Sequence, residues 1–318
     1  MKAVNIGEFG GTEVLKLVEV ERPVPASDEI LIKVYASGVN LVDCVIRAGT
    51  NAAFNSFLNL PLTLGCDAAG TVEEVGSDVT QFRKGDQVYG CPNFPGDGSY
   101  AEYCAAKASQ FALKPKTISF NEAAGVPLAA LVAWEGLFEL GQLQAGQHIL
   151  IHGASGGIGS FAVQLAKAKG AYVIGTTSTS NLEFLKELGV DEVVDYSKQN
   201  FEELLHDIDV VFDASPLRNN NERLKCVSVL KNGGIFVSVN VDFPFDAAVN
   251  EALDLKHAKG EMVAGQKHEN LADVAKLIDE GKVKVIISKV YPLEQVAHAH
   301  EQSVTGHIRG KIVLEILK

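Results

Sequence analysis

Hydrophobic and polar positions fall into two rhythms along this chain. Up to about residue 119 the apolar residues form short, strand-like groups: Val4 and Ile6, Leu15 to Val20, Ile30 to Tyr35. Turn signals separate them, as in Gly65-Cys-Asp-Ala-Ala-Gly-Thr-Val-Glu-Glu-Val-Gly76 and Lys84-Gly-Asp-Gln-Val-Tyr-Gly90. Gly, Pro, Asn and Asp then cluster in a loop from Cys91 to Gly98. This spacing predicts a compact, barrel-like β unit. From Asn121 to Leu140 the spacing is helical, with Gly141 as the stop. Beyond it, strands predicted at His148–His152, Tyr172–Thr176, Glu192–Asp195, Asp209–Asp213 and Gly234–Asn240 alternate with helices. The first of these helices, Ile158–Lys169, puts Ile158, Phe161, Ala162 and Leu165 on one face and ends at Gly170. The second, Asn181–Leu188, opens on a capping box, Ser180-x-x-Glu183, and ends at Gly189. Such alternation demands a parallel sheet. A further helix is predicted at Leu271–Glu280. Val283–Val290 and Ile312–Leu317 are β-like again, so the tail is expected to rejoin the first unit.

One junction carries chemistry. Ile149-Leu-Ile-His-Gly-Ala-Ser-Gly-Gly-Ile-Gly159 is a strand, a glycine turn and a helix start. A dinucleotide needs this arrangement. Its pyrophosphate must meet backbone N–H groups at a helix N-terminus, and side chains there would hold it off. The candidate contacts are Gly153, Ala154, Ser155, Gly156, Gly157, Ile158 and Gly159. The ligandless alternative is a glycine-rich turn that merely joins strand to helix.

Charge and cysteine usage narrow the rest. The 318 residues carry a formal net charge of -12 with no long basic run, which argues against nucleic acid and anionic membrane surfaces as partners. The first residues are too polar for a signal peptide and no run of 18 apolar residues occurs, so a cytoplasmic protein is expected. The five cysteines, an odd count, contain no C-x-x-C pair and are read as reduced, buried thiols.

Several segments together resemble the medium-chain dehydrogenase/reductase superfamily, and within it the zinc-free NADPH:quinone reductases. They are Gly38-Val-Asn-Leu-Val-Asp43 with Arg47-Ala-Gly49, the two turn segments quoted above, Gly98-Ser-Tyr-Ala-Glu-Tyr103 and Ala133-Trp-Glu-Gly-Leu137. The glycine turn with Phe161-Ala-Val-Gln-Leu-Ala-Lys167, Leu188-Gly-Val-Asp-Glu-Val-Val-Asp-Tyr196 and Gly310-Lys-Ile-Val-Leu314 complete the set. The resemblance implies an α/β protein: a GroES-like β-rich catalytic domain over 1–119, completed by 288–318, and a Rossmann doubly wound parallel-sheet domain over 120–287. It implies a reductase that passes hydride from NADPH to a small quinone or α,β-unsaturated carbonyl. An enoyl-thioester reductase and a weakly catalytic NADPH-binding sensor remain as alternatives. A homodimer is left open.

No catalytic metal is expected. Residues 1–147 contain no histidine. Where the zinc enzymes of the superfamily have Gly-His-Glu this chain has Gly65-Cys-Asp67, and where they have a cysteine ligand it has Asn40. His298 and His300 are expected on a surface helix, on different faces. Without a Lewis acid, an already electrophilic acceptor is the natural substrate.

For the cofactor, an acid about 20 residues past the glycine turn would favour NAD. Here that window is Gly175-Thr-Thr-Ser-Thr-Ser180, with hydroxyls and no carboxylate. Thr177, Ser178 and Thr179 are therefore candidate contacts to the 2′-phosphate of NADPH, Thr176 beside them is a candidate cofactor contact, and Ser180 is read as a helix cap. The resemblance adds Tyr196 beside that phosphate and Ser238 near the nicotinamide. Asn181 stands where the family often has lysine, and Val132 where it often has threonine. For catalysis the resemblance points to Asn40, near the nicotinamide ribose or the substrate carbonyl, and to Asp43, as a site residue or as a structural brace. Arg47 either pairs with Asp43 or faces solvent. Phe54 and Phe57 either wall the acceptor site or fill core. No tyrosine follows the Arg47-Ala-Gly49 segment, so the proton that follows the hydride is expected from water.

Overall fold

In a computed structural model, which describes residues 1–94, 96–263, 267–306 and 308–317 apart from the side chains of Ala53 and Phe54, the chain forms two compact units. The first comprises Met1–Leu128, His268–Gly281 and Val285–Lys318. The second comprises Ala129–Lys267 and Lys282–Lys284.

The first unit is GroES-like and built from two sheets. Strands β1 (Lys2–Ile6), β2 (Lys16–Glu19) and β4 (Leu62–Thr63) form a small antiparallel sheet in the order β2-β1-β4. The larger sheet centres on β3 (Glu29–Val39), whose length lets it pair with three neighbours. These are β5 (Ala68–Val75), β7 (Tyr103–Lys107) and the C-terminal β16 (Lys311–Glu315). Strands β6 (Gln87–Gly90), β8 (Phe111–Leu113) and β15 (Ile287–Pro292) extend the sheet, in the order β15-β16-β3-β5-β6-β8. Alternate residues Ile30, Ile32 and Val34 point into one core with Val72, Val88 and Phe111. The tail thus returns to the first unit, and its register decides the site. Ile312 lies opposite Val39, and Glu315 opposite Ala36. One step further along this antiparallel ladder sets Lys311 beside Asn40.

The second unit is a six-stranded, fully parallel Rossmann-like sheet. Its strands are β9 (His148–His152), β10 (Tyr172–Thr177), β11 (Glu192–Asp195), β12 (Ile208–Asp213), β13 (Leu230–Ser238) and β14 (Lys259–Met262). The order is β11-β10-β9-β12-β13-β14, so the winding reverses at β9 and β12. Ligands of such sheets bind beyond the carboxyl ends of the strands at that reversal.

The expected helix over 121–140 is in fact three pieces: Phe120–Ala124, Pro127–Trp134 and a π-helical turn at Glu135–Leu140. Pro127 has no amide hydrogen, so it opens a new helix rather than continuing the old one. The capping box expected at Ser180 is replaced by a 3-10 turn over Thr179–Asn181. The helix starts only at Leu182 with no side-chain cap, and Glu183 pairs with Lys186 instead.

Candidate active site

At the carboxyl edge of the parallel sheet, the chain leaves β9 through Gly153, whose φ of +82° is costly for any residue with a Cβ. The helix Gly157–Lys169 follows, with Gly156 as its N-cap in extended conformation and no side chain capping it. The N–H groups of Gly157, Ile158 and Gly159 lie in its first turn, where no helical carbonyl can reach them. Glycines here do two different jobs. A Cβ on Gly159 would meet Gly153 O at 2.2 Å and Ala154 Cα at 2.8 Å, so this glycine lets the helix sit against the turn. A Cβ on Gly156 would meet only Gly153 O, at 3.5 Å; the space over the helix start is open. Three uncapped donors below an open space fit a pyrophosphate.

The hydroxyl candidates are not alike. Thr176 is fully buried, and its Oγ1 accepts from Gly153 N at 3.1 Å and joins His152 Nδ1 at 2.9 Å. It braces the turn from behind. Thr177, also buried, donates to Ser155 Oγ at 3.1 Å, and Asn181 Nδ2 reaches the same oxygen at 3.4 Å. Ser178 lies 3.1 Å from Ser180 Oγ. Tyr196 is exposed, and Ser238 is buried with its hydroxyl on Asp213 Oδ2 at 3.1 Å. Sequence reasoning missed Asp195. The linear window holds no acid, yet the parallel register places Asp195 opposite Thr177. Thr179 donates to its Oδ2 at 2.5 Å, Ser197 N–H to its Oδ1 at 3.0 Å, and Lys198 lies 3.6 Å away. The Thr179 hydroxyl, Ser197 and Lys198 hold this carboxyl below the usual range.

Beyond β13 the chain turns through Asn240 to Pro244 around a buried cation. The Arg223 guanidinium lies 4.5 Å from the Phe243 ring centre and 4.9 Å from that of Phe245. It donates to Pro244 O at 3.1 Å and Asn240 O at 3.5 Å.

In the first unit, Asn40 and Asp43 open the helix Leu41–Ala48. Asp43 Oδ2 accepts the Asn40 backbone N–H at 2.8 Å, a brace across the first turn. Asp43 is fully buried, and burial raises its carboxyl to about 6 against the hydrogen bonds from Cys66 and Asn40. The Asn40 side chain also meets two charged groups. Its Nδ2 donates to Asp67 Oδ2 at 2.8 Å, and its Oδ1 accepts from Lys311 Nζ. Lys311 also lies 3.5 Å from Asp67 Oδ2, a buried ion pair between residues far apart in sequence. The other oxygen, Asp67 Oδ1, accepts Leu128 N–H at 2.7 Å and Cys91 Sγ at 3.5 Å. Ser37 and Ser99 both donate to Asp67 O at 2.6 Å.

Three expectations need correction. Arg47 neither pairs with Asp43 nor faces solvent: it is buried, donates to Gly10 O at 3.3 Å and lies 3.5 Å from His300 Nδ1. His300 is not on a surface face. It is fully buried, and burial first, then the Arg47 charge, lowers it to about 3, while His298 is exposed. Phe57 is 74% exposed and fills no core; the Phe54 side chain lies outside the described residues. The five cysteines are free and buried as expected, and burial raises every one, Cys44 and Cys104 to about 12.

Comparison with known proteins bears on this geometry. Residues 26–116 match the alcohol dehydrogenase GroES-like domain, and residues 188–314 match a family described as zinc-binding dehydrogenase. The chain is 34% identical to the quinone oxidoreductase of Mus musculus, over 99% of this chain and 97% of that one. It belongs to the medium-chain dehydrogenase/reductase family. Another member, the chloroplastic NADPH-dependent alkenal/one oxidoreductase of Arabidopsis thaliana, is 38% identical over 99% of this chain and 79% of that protein. The Escherichia coli quinone oxidoreductase, solved in complex with NADPH, superposes with a TM-score of 0.88 at 28% identity, covering 99% of this chain and 100% of that one.

The description of one matched family implies zinc, and the residues of this member do not fit it. Both oxygens of Asp67 are committed, and the charge they face is the Lys311 ammonium. Among the described residues no three His, Cys, Asp or Glu side chains are grouped so as to hold a metal ion. NADPH, by contrast, fits the turn after β9: uncapped donors, open space at Gly156 and hydroxyls at the end of β10.

Proposed function

We propose that this chain is an NADPH-dependent reductase that delivers hydride to quinones or α,β-unsaturated carbonyls without a catalytic metal. The Lys311–Asp67–Asn40 cluster carries this reading. By the resemblance, it sets an amide where the zinc enzymes have a cysteine ligand, with the Lys311 ammonium held against that amide, a donor set unsuited to binding an alcohol as its alkoxide. Reduction of a conjugated carbonyl needs no such activation. It needs a positioned donor for the oxygen that gains charge. When bound, NADPH supplies the hydride.

In this reading the N–H groups of Gly157, Ile158 and Gly159 hold the pyrophosphate. Ser155, Thr177, Ser178 and Thr179 form the end that takes the 2′-phosphate, with Tyr196 alongside. Gly153, Ala154, Thr176 and Ser238 shape and brace the turn and sheet edge. Asp43 braces the backbone of Asn40, and the Asn40 amide donates to the acceptor oxygen. Solvent returns the proton. Five reduced thiols suit a cytoplasmic setting, and no helix among the described residues is long and apolar enough to cross a membrane.

The test follows NADPH consumption with a small quinone, an enone and a saturated ketone after exhaustive chelation. Turnover with the first two and none with the ketone is expected. Turnover that vanishes on chelation and returns with zinc would refute the metal-free reading.

A further inference from the structure

The side chain of Asn40 has four hydrogen-bonding positions: two N–H donors and two lone pairs on Oδ1. Two are taken. Asp67 Oδ2 receives one N–H at 2.8 Å, and Lys311 Nζ donates to Oδ1. The charges on these partners fix which end of the amide faces which. In the reverse orientation an ammonium would meet an NH2 group and a carboxylate would meet a carbonyl oxygen, with two hydrogen bonds replaced by two repulsions. Neither partner can turn away. Lys311 is 4% exposed and Asp67 fully buried, and Asp67 is tied down by Leu128 N–H, by Cys91 and, through its carbonyl, by Ser37 and Ser99. Asn40 keeps the most exposure of the three, at 8%.

We propose that Lys311 is a positioning residue for hydride transfer: with Asp67 it locks the Asn40 amide in one orientation and leaves one Asn40 N–H as a hydrogen-bond donor to the acceptor oxygen. This rests on the reductase reading above. The ammonium on Oδ1 draws electron density along the amide and strengthens the remaining N–H as a donor. Charge appears on the acceptor oxygen as the new C–H bond forms at the β-carbon and the C=C pair moves to make an enolate. NADPH is oxidised to NADP+ in that step, and a proton from water then restores the neutral product. A donor already held in place needs no reorganisation as that charge develops. Lys311 touches neither acceptor nor cofactor in this scheme and acts through Asn40.

The test uses the full chain and the double variant Lys311→Met with Asp67→Asn, which removes both charges together and keeps an acceptor for Leu128 N–H. The first readout is the side-chain amide of Asn40 by 15N NMR. In the wild type its two protons are expected to be well separated and slow to exchange, and one should move when 4-nitrophenolate, an oxyanion that accepts no hydride, is added with NADP+. In the double variant the two signals should converge and the response should vanish. The second readout is kinetic. The variant should lose about tenfold or more in kcat, with the KM for NADPH little changed, and Lys311→Arg should recover most of the loss. A folded double variant with wild-type kcat, or a wild-type Asn40 amide indifferent to the phenolate, would overturn the proposal. Wild-type protein that reduces neither quinone nor enone, yet shows the phenolate response, would overturn only the reductase reading.

Discussion

At the turn after β9 the sequence removes side chains, and the backbone is left with N–H groups that nothing in the helix or its cap satisfies. At Asn40 it does the reverse. Side chains from the start of the helix Leu41–Ala48, from β16 and from the loop before β5 fill each other's hydrogen-bonding capacity, leaving one amide donor over in the proposed reading. In the proposed reading the first region takes a phosphate, and its energetics belong to the ligand. The second is a closed electrostatic unit whose energetics belong to the fold. Damage to the first should therefore cost affinity and spare stability, while damage to the second should cost stability before anything else.

The largest effect is expected from Asp67→Ala. It leaves the Lys311 ammonium buried without its partner, and chemical unfolding should show a loss of about 3–5 kcal/mol. A variant as stable as wild type would mean that the two regions do not differ in kind.

Next comes pH, where two buried groups of the first unit pull in opposite directions. The folded state raises Asp43 from 3.8 to about 6. It thus holds that proton more tightly than the unfolded chain, and stability falls as pH rises through this window, by roughly 3 kcal/mol. His300 is lowered from 6.5 to about 3, so the unfolded chain binds its proton more tightly and stability rises with pH over an overlapping window. The two slopes oppose each other between pH 4 and 6. Asp43→Asn removes the falling one, so Tm should climb more steeply over that range than in the wild type. Parallel Tm curves for the two proteins would show that Asp43 is ionised throughout.

On the other side of the comparison, Gly156→Val should weaken NADPH binding on the order of a hundredfold, roughly 2.7 kcal/mol, because its side chain enters the open space over the helix start. Its melting temperature should stay within a few degrees of wild type, since a Cβ there meets only Gly153 O at 3.5 Å. Calorimetric titration of a folded variant with unchanged affinity would remove the turn from the cofactor site. The smallest effect concerns Asp195. Asp195→Asn takes away a carboxylate at the end of β11, beside the hydroxyls of β10, and should sharpen the preference for NADPH over NADH severalfold. A ratio of specificity constants that does not move would put Asp195 out of reach of the 2′-phosphate.

The same contrast explains which features are legible in the sequence. The glycine turn is local: strand, turn and helix lie within residues 148–169, each with its own periodicity, so β9 has the boundaries expected from sequence, as does β11 with its own short apolar run. The Lys311–Asp67–Asn40 cluster joins residues that only strand pairing brings together. Its one sequence signal is a lysine opening the apolar run Lys311-Ile-Val-Leu314, and it acquires meaning only once β16 is paired against β3. Asp195 escapes for a related reason: a search along the chain for an acid after the turn cannot see the neighbouring parallel strand. The helix over 121–140 misleads locally, because hydrophobic spacing continues through Pro127 although hydrogen bonding does not.

Arg223 has a consequence for motion. One guanidinium, packed against two phenylalanine rings, holds the carbonyls of Asn240 and Pro244 together. Residues 240–245 therefore cannot fray from one end. They must release the cation as a set, and slow amide exchange across them should follow a single opening rate, as in one small cooperative unit. Lysine could carry the same charge, but it has no planar fork to bridge the two carbonyls while stacking on rings, so in Arg223→Lys the segment should exchange residue by residue.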